Sequence, residues 1–141
     1  MLEIKPIQTK ADQETACTRC GIPYDQDCMA YAAHEDGEFI GMCQFNIEAE
    51  RGYIKNLALR EGLSDFEALF LLGRATLNFI DLCGIHKAAC SEDAAEERVV
   101  TAIGFRRGED GVYLADMTHM FEGCGGESAG KMSGNSTPAR N

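Results

Sequence analysis

The stretch from Gly52 to Gly84, GYIKNLALREGLSDFEALFLLGRATLNFIDLCG, constrains the fold more than any other part of the chain. Its first half, Tyr53–Leu59, reads as a buried strand. Its second half changes period. From Ser64 onward Phe66, Leu69, Phe70, Leu71, Leu72, Ala75, Leu77, Phe79, Ile80 and Leu82 crowd together, while Glu67, Arg74, Asn78 and Asp81 share one narrow helical face. A helix that is apolar around most of its circumference must be covered on most sides. The chain therefore needs a sheet against this helix and at least one further element over it.

The flanking sequence supplies those elements. Residues 2–7, LEIKPI, read as an opening strand that Pro6 confines to an edge or an end. Residues 9–20 read as a weak helix stopped by Gly21. The segment GIPYDQD is turn-rich, and a short helix is expected around Tyr24–Cys28. Met29–Ala33 and Phe39–Ile47 are apolar runs joined through Asp36-Gly37, a hairpin signal, and Glu50-Arg51-Gly52 marks the turn into Tyr53–Leu59. The plain reading is a three-strand antiparallel meander. After the long helix, Ile85–Cys90 reads as a strand, Ala94–Ala102 as a helix and Val112–Met117 as a last strand.

A chain of 141 residues with 45% hydrophobic content builds one core. The expected organisation is a single domain over residues 1–121 and a Gly/Ser-rich disordered tail over residues 122–141, too polar to offset its ordering entropy. The formal net charge is −10 with a pI near 4.7. Such an acidic protein repels nucleic acid and anionic membranes, so neither is expected as a partner. The chain shows neither a membrane span nor an apolar leader, and it is expected to be cytoplasmic. Seven cysteines cannot all pair, and reduced thiols follow from that location.

Two short stretches, Tyr53–Leu59 (YIKNLAL) and Val100–Phe105 (VTAIGF), resemble motifs of the GNAT acyltransferase superfamily. Tyr53-Ile54-Lys55-Asn56-Leu57-Ala58-Leu59 looks like the central strand of that family with its L-A-V-type ending, and Val100-Thr101-Ala102-Ile103-Gly104-Phe105 looks like its Y-x-x-x-G-F helix ending. The element order over about residues 2–121 resembles it too. The resemblance implies a mixed α/β (α+β) fold: a mostly antiparallel twisted sheet, splayed near its middle and flanked by helices. It also implies transfer of an acyl group from acetyl-CoA or another acyl-CoA to a small-molecule or peptide amine. The pantetheine would lie against the backbone of Leu57, Ala58 and Leu59. The pyrophosphate would sit at the N-terminus of the long helix, where free N–H groups and the dipole favour anions.

The chain departs from that pattern at the helix start. Arg60-Glu61-Gly62-Leu63-Ser64-Asp65-Phe66-Glu67 holds one glycine where the family has a Q/R-x-x-G-x-G/A loop. Ser64-x-x-Glu67 instead reads as a capping box, and Asp65 and Glu67 put two carboxylates where phosphates would lie. Arg60 is left as a lateral phosphate contact. Lys55 stands where many members carry a glutamate, Val100 stands at the tyrosine position, and the nearby phenols Tyr53 and Tyr113 match no motif position. No catalytic base or acid is assigned. A non-catalytic binding module on the same fold is the alternative.

Cys17-Thr-Arg-Cys20, with Cys28, His34 and Cys124, is an incomplete zinc set lacking a second close pair; a Cys-ligated zinc-binding protein is a third, weaker reading, and no metal site is assigned. Cys43, Cys83 and Cys90 are expected to pack as small hydrophobes. His34, His86 and His119 have no partner at motif spacing.

Overall fold

A computed structural model describes residues 1–121. The proposed tail, 122–141, lies outside the described residues. The order is β1 (Leu2–Pro6), α1 (Lys10–Cys20), β2 (Met29–Glu35), β3 (Glu38–Glu48), β4 (Arg51–Leu59), α2 (Phe66–Leu82), β5 (Lys87–Cys90), α3 (Glu97–Ile103), β6 (Arg106–Arg107) and β7 (Tyr113–Asp116). The strands form one sheet in the order β1-β2-β3-β4-β5-β7-β6. All neighbours are antiparallel except β4 and β5.

The meander forms as the turn chemistry requires. Asp36 and Gly37 both adopt positive φ, 52° and 87°, the twist that suits a two-residue hairpin. The second hairpin turns one residue earlier than expected, at Ala49 and Glu50, with φ of 46° and 69°. Gly52 is thereby freed to lie within β4. It is needed there because a Cβ would stand 2.7 Å from the Ile80 side chain of α2.

Helix α2 packs its buried face, including Leu72, Leu77 and Ile80, on one side of the sheet and against α3. The close approach is made at Gly73, where a Cβ would lie 2.3 Å from Ile103 Cδ1. Arg74 joins the two helices by donating from Nε to the Ile103 carbonyl at 2.7 Å, near the end of α3. Helix α1 covers the other face through Ala16, Cys17 and Cys20 against Ala30 and Met42. Thr9 caps it, and Gly21 ends it in the left-handed region with Ile22 N–H donating to the Cys17 carbonyl.

Several sequence expectations are corrected. Residues 24–28 form a turn rather than a helix: the Asp25 carboxylate accepts from Asp27 N–H and its carbonyl from Cys28 N–H, which closes a single turn and propagates no further. Helix α3 begins at Glu97 rather than Ala94, because the Ala94 carbonyl is turned away to Leu57. The strand pair β6–β7 includes a two-residue β6 that the sequence did not announce. Cys43 and Cys90 are buried as expected, but Cys83 is exposed at the end of α2.

Candidate active site

The site begins with a bulge. Gln44 of β3 pairs with Asn56 of β4, and Phe45 pairs with Ile54, so Lys55 is an extra residue without a partner. The parallel partner β5 follows β4 only from Gly52 to Ile54. Beyond Ile54 the two strands separate, and the sheet splays at the point where Lys55 leaves the ladder.

A cleft of about 510 Å³ opens there. Its walls are the α1–β2 loop, with Tyr24, Asp25 and Asp27, the bulged strand, with Lys55 and Asn56, and Ser91 just after β5. The loop is held by one fully buried side chain. Gln44 accepts from Gln13 Nε2 and from the Asp25 amide, both at 3.0 Å. It donates to the Pro23 carbonyl at 3.0 Å and to Asn56 Oδ1 at 2.8 Å. Both amide ends are thus satisfied inside the protein, as a buried polar group requires. Gln44 ties α1, the cleft loop and β4 together at the bulge itself.

Across the cleft Lys55 Nζ lies 2.7 Å from Asp25 Oδ2, while Asp25 Oδ1 takes the Asp27 amide at 2.9 Å. The Lys55 ammonium, followed by the Asp27 amide, holds the Asp25 carboxyl below its usual range, and Asp25 in turn raises Lys55. Asp25 is therefore a fixed anion suited to binding a cation and poorly suited to taking a proton. Burial, reinforced by Glu14 and other nearby anionic groups, raises the Tyr24 phenol, which stays protonated at neutral pH.

The three residues expected to line a pantetheine lie at the splay. Leu57 is buried, and its amide donates to the Ala94 carbonyl at 3.0 Å. Ala58 pairs with Met42 of β3, and its carbonyl accepts from Cys20 Sγ at 3.7 Å. Leu59 lies opposite Gly41, and strand alternation turns its amide to the same side as that of Leu57.

The helix start differs from the expected capping box. Asp65, not Ser64, is the N-cap of α2: its Oδ1 accepts from the Ala68 amide at 3.1 Å, and its carbonyl takes the Leu69 amide at 3.2 Å. The helix starts one residue later than the box requires, which places Glu67 in the first turn without its partner. Arg60 lies 3.7 Å from Glu38. At the splay the Leu57 amide is already taken by the Ala94 carbonyl, so an amide-bearing arm would have to displace that bond to pair there. The turn from Arg60 to Glu67 does not fit a pyrophosphate held in a glycine loop.

Tyr24, Asp25, Asn56 and Ser91 were missed from sequence, although Gln44, an amide at the centre of the apolar run FIGMCQFNI, was an available signal. Of the two phenols noted, Tyr113 is buried and accepts from Arg107 Nη1 at 3.2 Å, and Tyr53 is exposed on the sheet. Among the described residues, no group of three or more His, Cys, Asp or Glu side chains is arranged to hold a metal. His86 Nδ1 pairs with Asp81 at 2.5 Å, and the His34 ring meets Phe39 edge-on.

Comparison with solved structures decides the architecture. The PaiA N-acetyltransferase of Thermoplasma acidophilum, solved in complex with coenzyme A, superposes with a TM-score of 0.65 at 13% identity, over 82% of this chain and 99% of that one. The fold is that of the GNAT N-acetyltransferases. The Escherichia coli ribosomal-protein-S18-alanine N-acetyltransferase gives 0.65 at 10% identity, over 83% of this chain and 94% of that one. The IAA acetyltransferase of Bacillus cereus gives 0.64 at 18% identity, over 77% and 79%. No protein-family profile matches the chain, and no curated protein matches it by sequence. The fold inferred from the GNAT-like strand and helix ending is therefore correct at identities where sequence alone carries little. No helix among the described residues is long and apolar enough to cross a membrane.

Proposed function

We propose that the chain is an N-acyltransferase that moves an acyl group from acetyl-CoA or a related acyl-CoA to an amine in the Tyr24–Lys55 cleft. The observation that carries this reading is the bulge at Lys55, which parts β4 from β5 and opens the cleft beside the splay. Acyl-CoA supplies an activated thioester carbonyl. The chain supplies a polar cleft beside the bulged strand β4. In the overall reaction the amine nitrogen bonds to the acyl carbon and the carbon–sulfur bond breaks. One ammonium proton goes to solvent and a second ends on the released thiol. Asp25 is too acidic to take the first, so water does, and the rate should rise with pH. Tyr24, a protonated phenol in the cleft wall, is the candidate donor to the thiolate.

The test is calorimetric binding of acetyl-CoA followed by chromatographic detection of free CoA with pools of amines. Chromatography avoids the chain's own thiols, which a thiol dye would report. Saturation at 100-fold the dissociation constant raises stability by about 2.7 kcal/mol. Absence of binding for acetyl-CoA and for longer acyl-CoAs at millimolar concentration refutes the proposal.

One observation favours a second reading, a binding module without acyl transfer. The Leu57 amide is already satisfied by Ala94, and Asp65 already caps α2. Acyl-CoA binding without turnover, or no binding at all, would support it.

A further inference from the structure

The Lys55–Asp25 pair does not simply line the cleft; its two charges constrain what can enter. Asp25 is the fixed member. One carboxylate oxygen is held by the Asp27 amide and the Asp25 backbone N–H is held by Gln44. Its side chain is 25% exposed, whereas that of Lys55 is 58% exposed and rides on an unpaired bulge residue. The pair therefore opens by movement of Lys55.

Each kind of ligand meets a different cost. A simple amine that takes Asp25 leaves the Lys55 ammonium without its partner. A simple carboxylate that takes Lys55 leaves Asp25, already about three-quarters withdrawn from water, without its partner. A ligand carrying an ammonium and a carboxylate close together replaces one ion pair by two and leaves neither group unmatched. The pair, in direct contact at 2.7 Å, borders a cleft of about 510 Å³ whose lining adds Asn56 and Ser91 as further polar groups.

We infer that the cleft selects a free α-amino acid, its ammonium on Asp25 and its carboxylate on Lys55. This rests on the reading of the cleft as the acceptor site, and it makes the product an N-acyl amino acid.

The experiment is a titration of the whole ¹⁵N-labelled chain, with and without CoA, against pools of natural L-amino acids. Matched pools of their α-amides lack the carboxylate, and matched N-acetyl derivatives lack the ammonium. Free amino acids should shift the Asp27, Lys55 and Asn56 amides and bind at least tenfold tighter than either matched pool. Lys55→Met should erase the preference for acid over amide, and Asp25→Asn the preference for free over N-acetylated amine. Both positions are at the surface of the cleft, so the variants should fold, which the same spectra check. Equal binding of acids and amides by the wild-type chain, or no shift at the cleft with any pool, overturns the inference. Acyl transfer is scored separately: turnover of amines lacking a carboxylate, with no such preference, overturns this inference and leaves the transferase reading standing. Amino-acid binding without acyl-CoA turnover does the reverse.

Discussion

The Leu57 amide donates to the Ala94 carbonyl at 3.0 Å, across the gap where β4 and β5 have already separated. The loop after β5 thereby fills the inner end of the splay with the chain's own backbone. A bound pantetheine arm must take this amide from Ala94 or lie further along the strand. On titration with acetyl-CoA, the Leu57 and Ala94 backbone resonances should therefore be among the most strongly shifted. Binding that leaves both unmoved would place the cofactor elsewhere.

The contact between α2 and α3 depends on an absent side chain. In isolation Gly73→Ala would favour a helix by about 1 kcal/mol. Here the new Cβ would lie 2.3 Å from Ile103 Cδ1 and 3.3 Å from Leu57 Cδ2. Overpacking of this kind costs about 1–3 kcal/mol, so the variant should lose stability in urea unfolding. Ile103→Val removes the offending methyl. Alone it should cost about 0.5–1.5 kcal/mol, yet added to Gly73→Ala it should restore stability. Simple additivity of the two changes would show that the clash is relieved some other way.

These two positions also show what the sequence could and could not announce. The fold was legible because its strongest signals are local: the apolar crowding of α2, Asp36-Gly37 at the first hairpin, Gly21 at the end of α1. The site was less so because it is made by distant residues meeting. Asp25 and Lys55 are brought together only by the bulge; its mark in the sequence, the slip of the buried alternation from Ile54 to Leu57 across Lys55 and Asn56, does not say which distant residue will meet Lys55. The start of α2 was misplaced by one residue because Ser64 and Asp65 are both good caps, and only the backbone decides between them. Ala94 was assigned to a helix on local pattern and is held out of it by a tertiary bond to Leu57.

Alkaline pH should weaken the fold through its buried thiols. Burial pushes Cys20 and Cys28 up to about 11, and Cys43 and Cys90 up to about 12. In the unfolded chain such thiols ionise near 8.5. Between that value and 11 or 12 the unfolded state binds fewer protons than the folded one, so stability falls as pH rises, by up to about 1.4 kcal/mol per pH unit for each thiol. Urea midpoints from pH 8 to 10.5 should show the decline, and Cys43→Ala with Cys90→Ala should make it shallower. An unchanged slope in that double variant would remove these two thiols as the cause. Cys83, exposed at the end of α2, should be alkylated before the other five described thiols.

Gln44 is where stability and the cleft meet. Its side chain is fully buried, and its four hydrogen bonds reach Gln13, the Asp25 amide, the Pro23 carbonyl and Asn56. Gln44→Leu keeps the volume roughly but strands the loop's amide and carbonyl, and each unsatisfied buried group costs about 1–3 kcal/mol. The expected loss is about 2–4 kcal/mol in urea unfolding, and it shrinks the further water reaches into the loop. Gln44→Glu should be worse, since it keeps the acceptors, loses both donors and buries a charge. Gln44→Leu should also loosen Asp25 from the sheet and so slacken its pair with Lys55. Lys55, now raised by Asp25, should titrate closer to its ordinary value, which NMR of the labelled lysine side chain would read. A destabilised Gln44→Leu chain with Lys55 still fully raised would mean that the loop holds its shape without Gln44. An undiminished stability would mean that the four bonds contribute no more than a leucine's packing does.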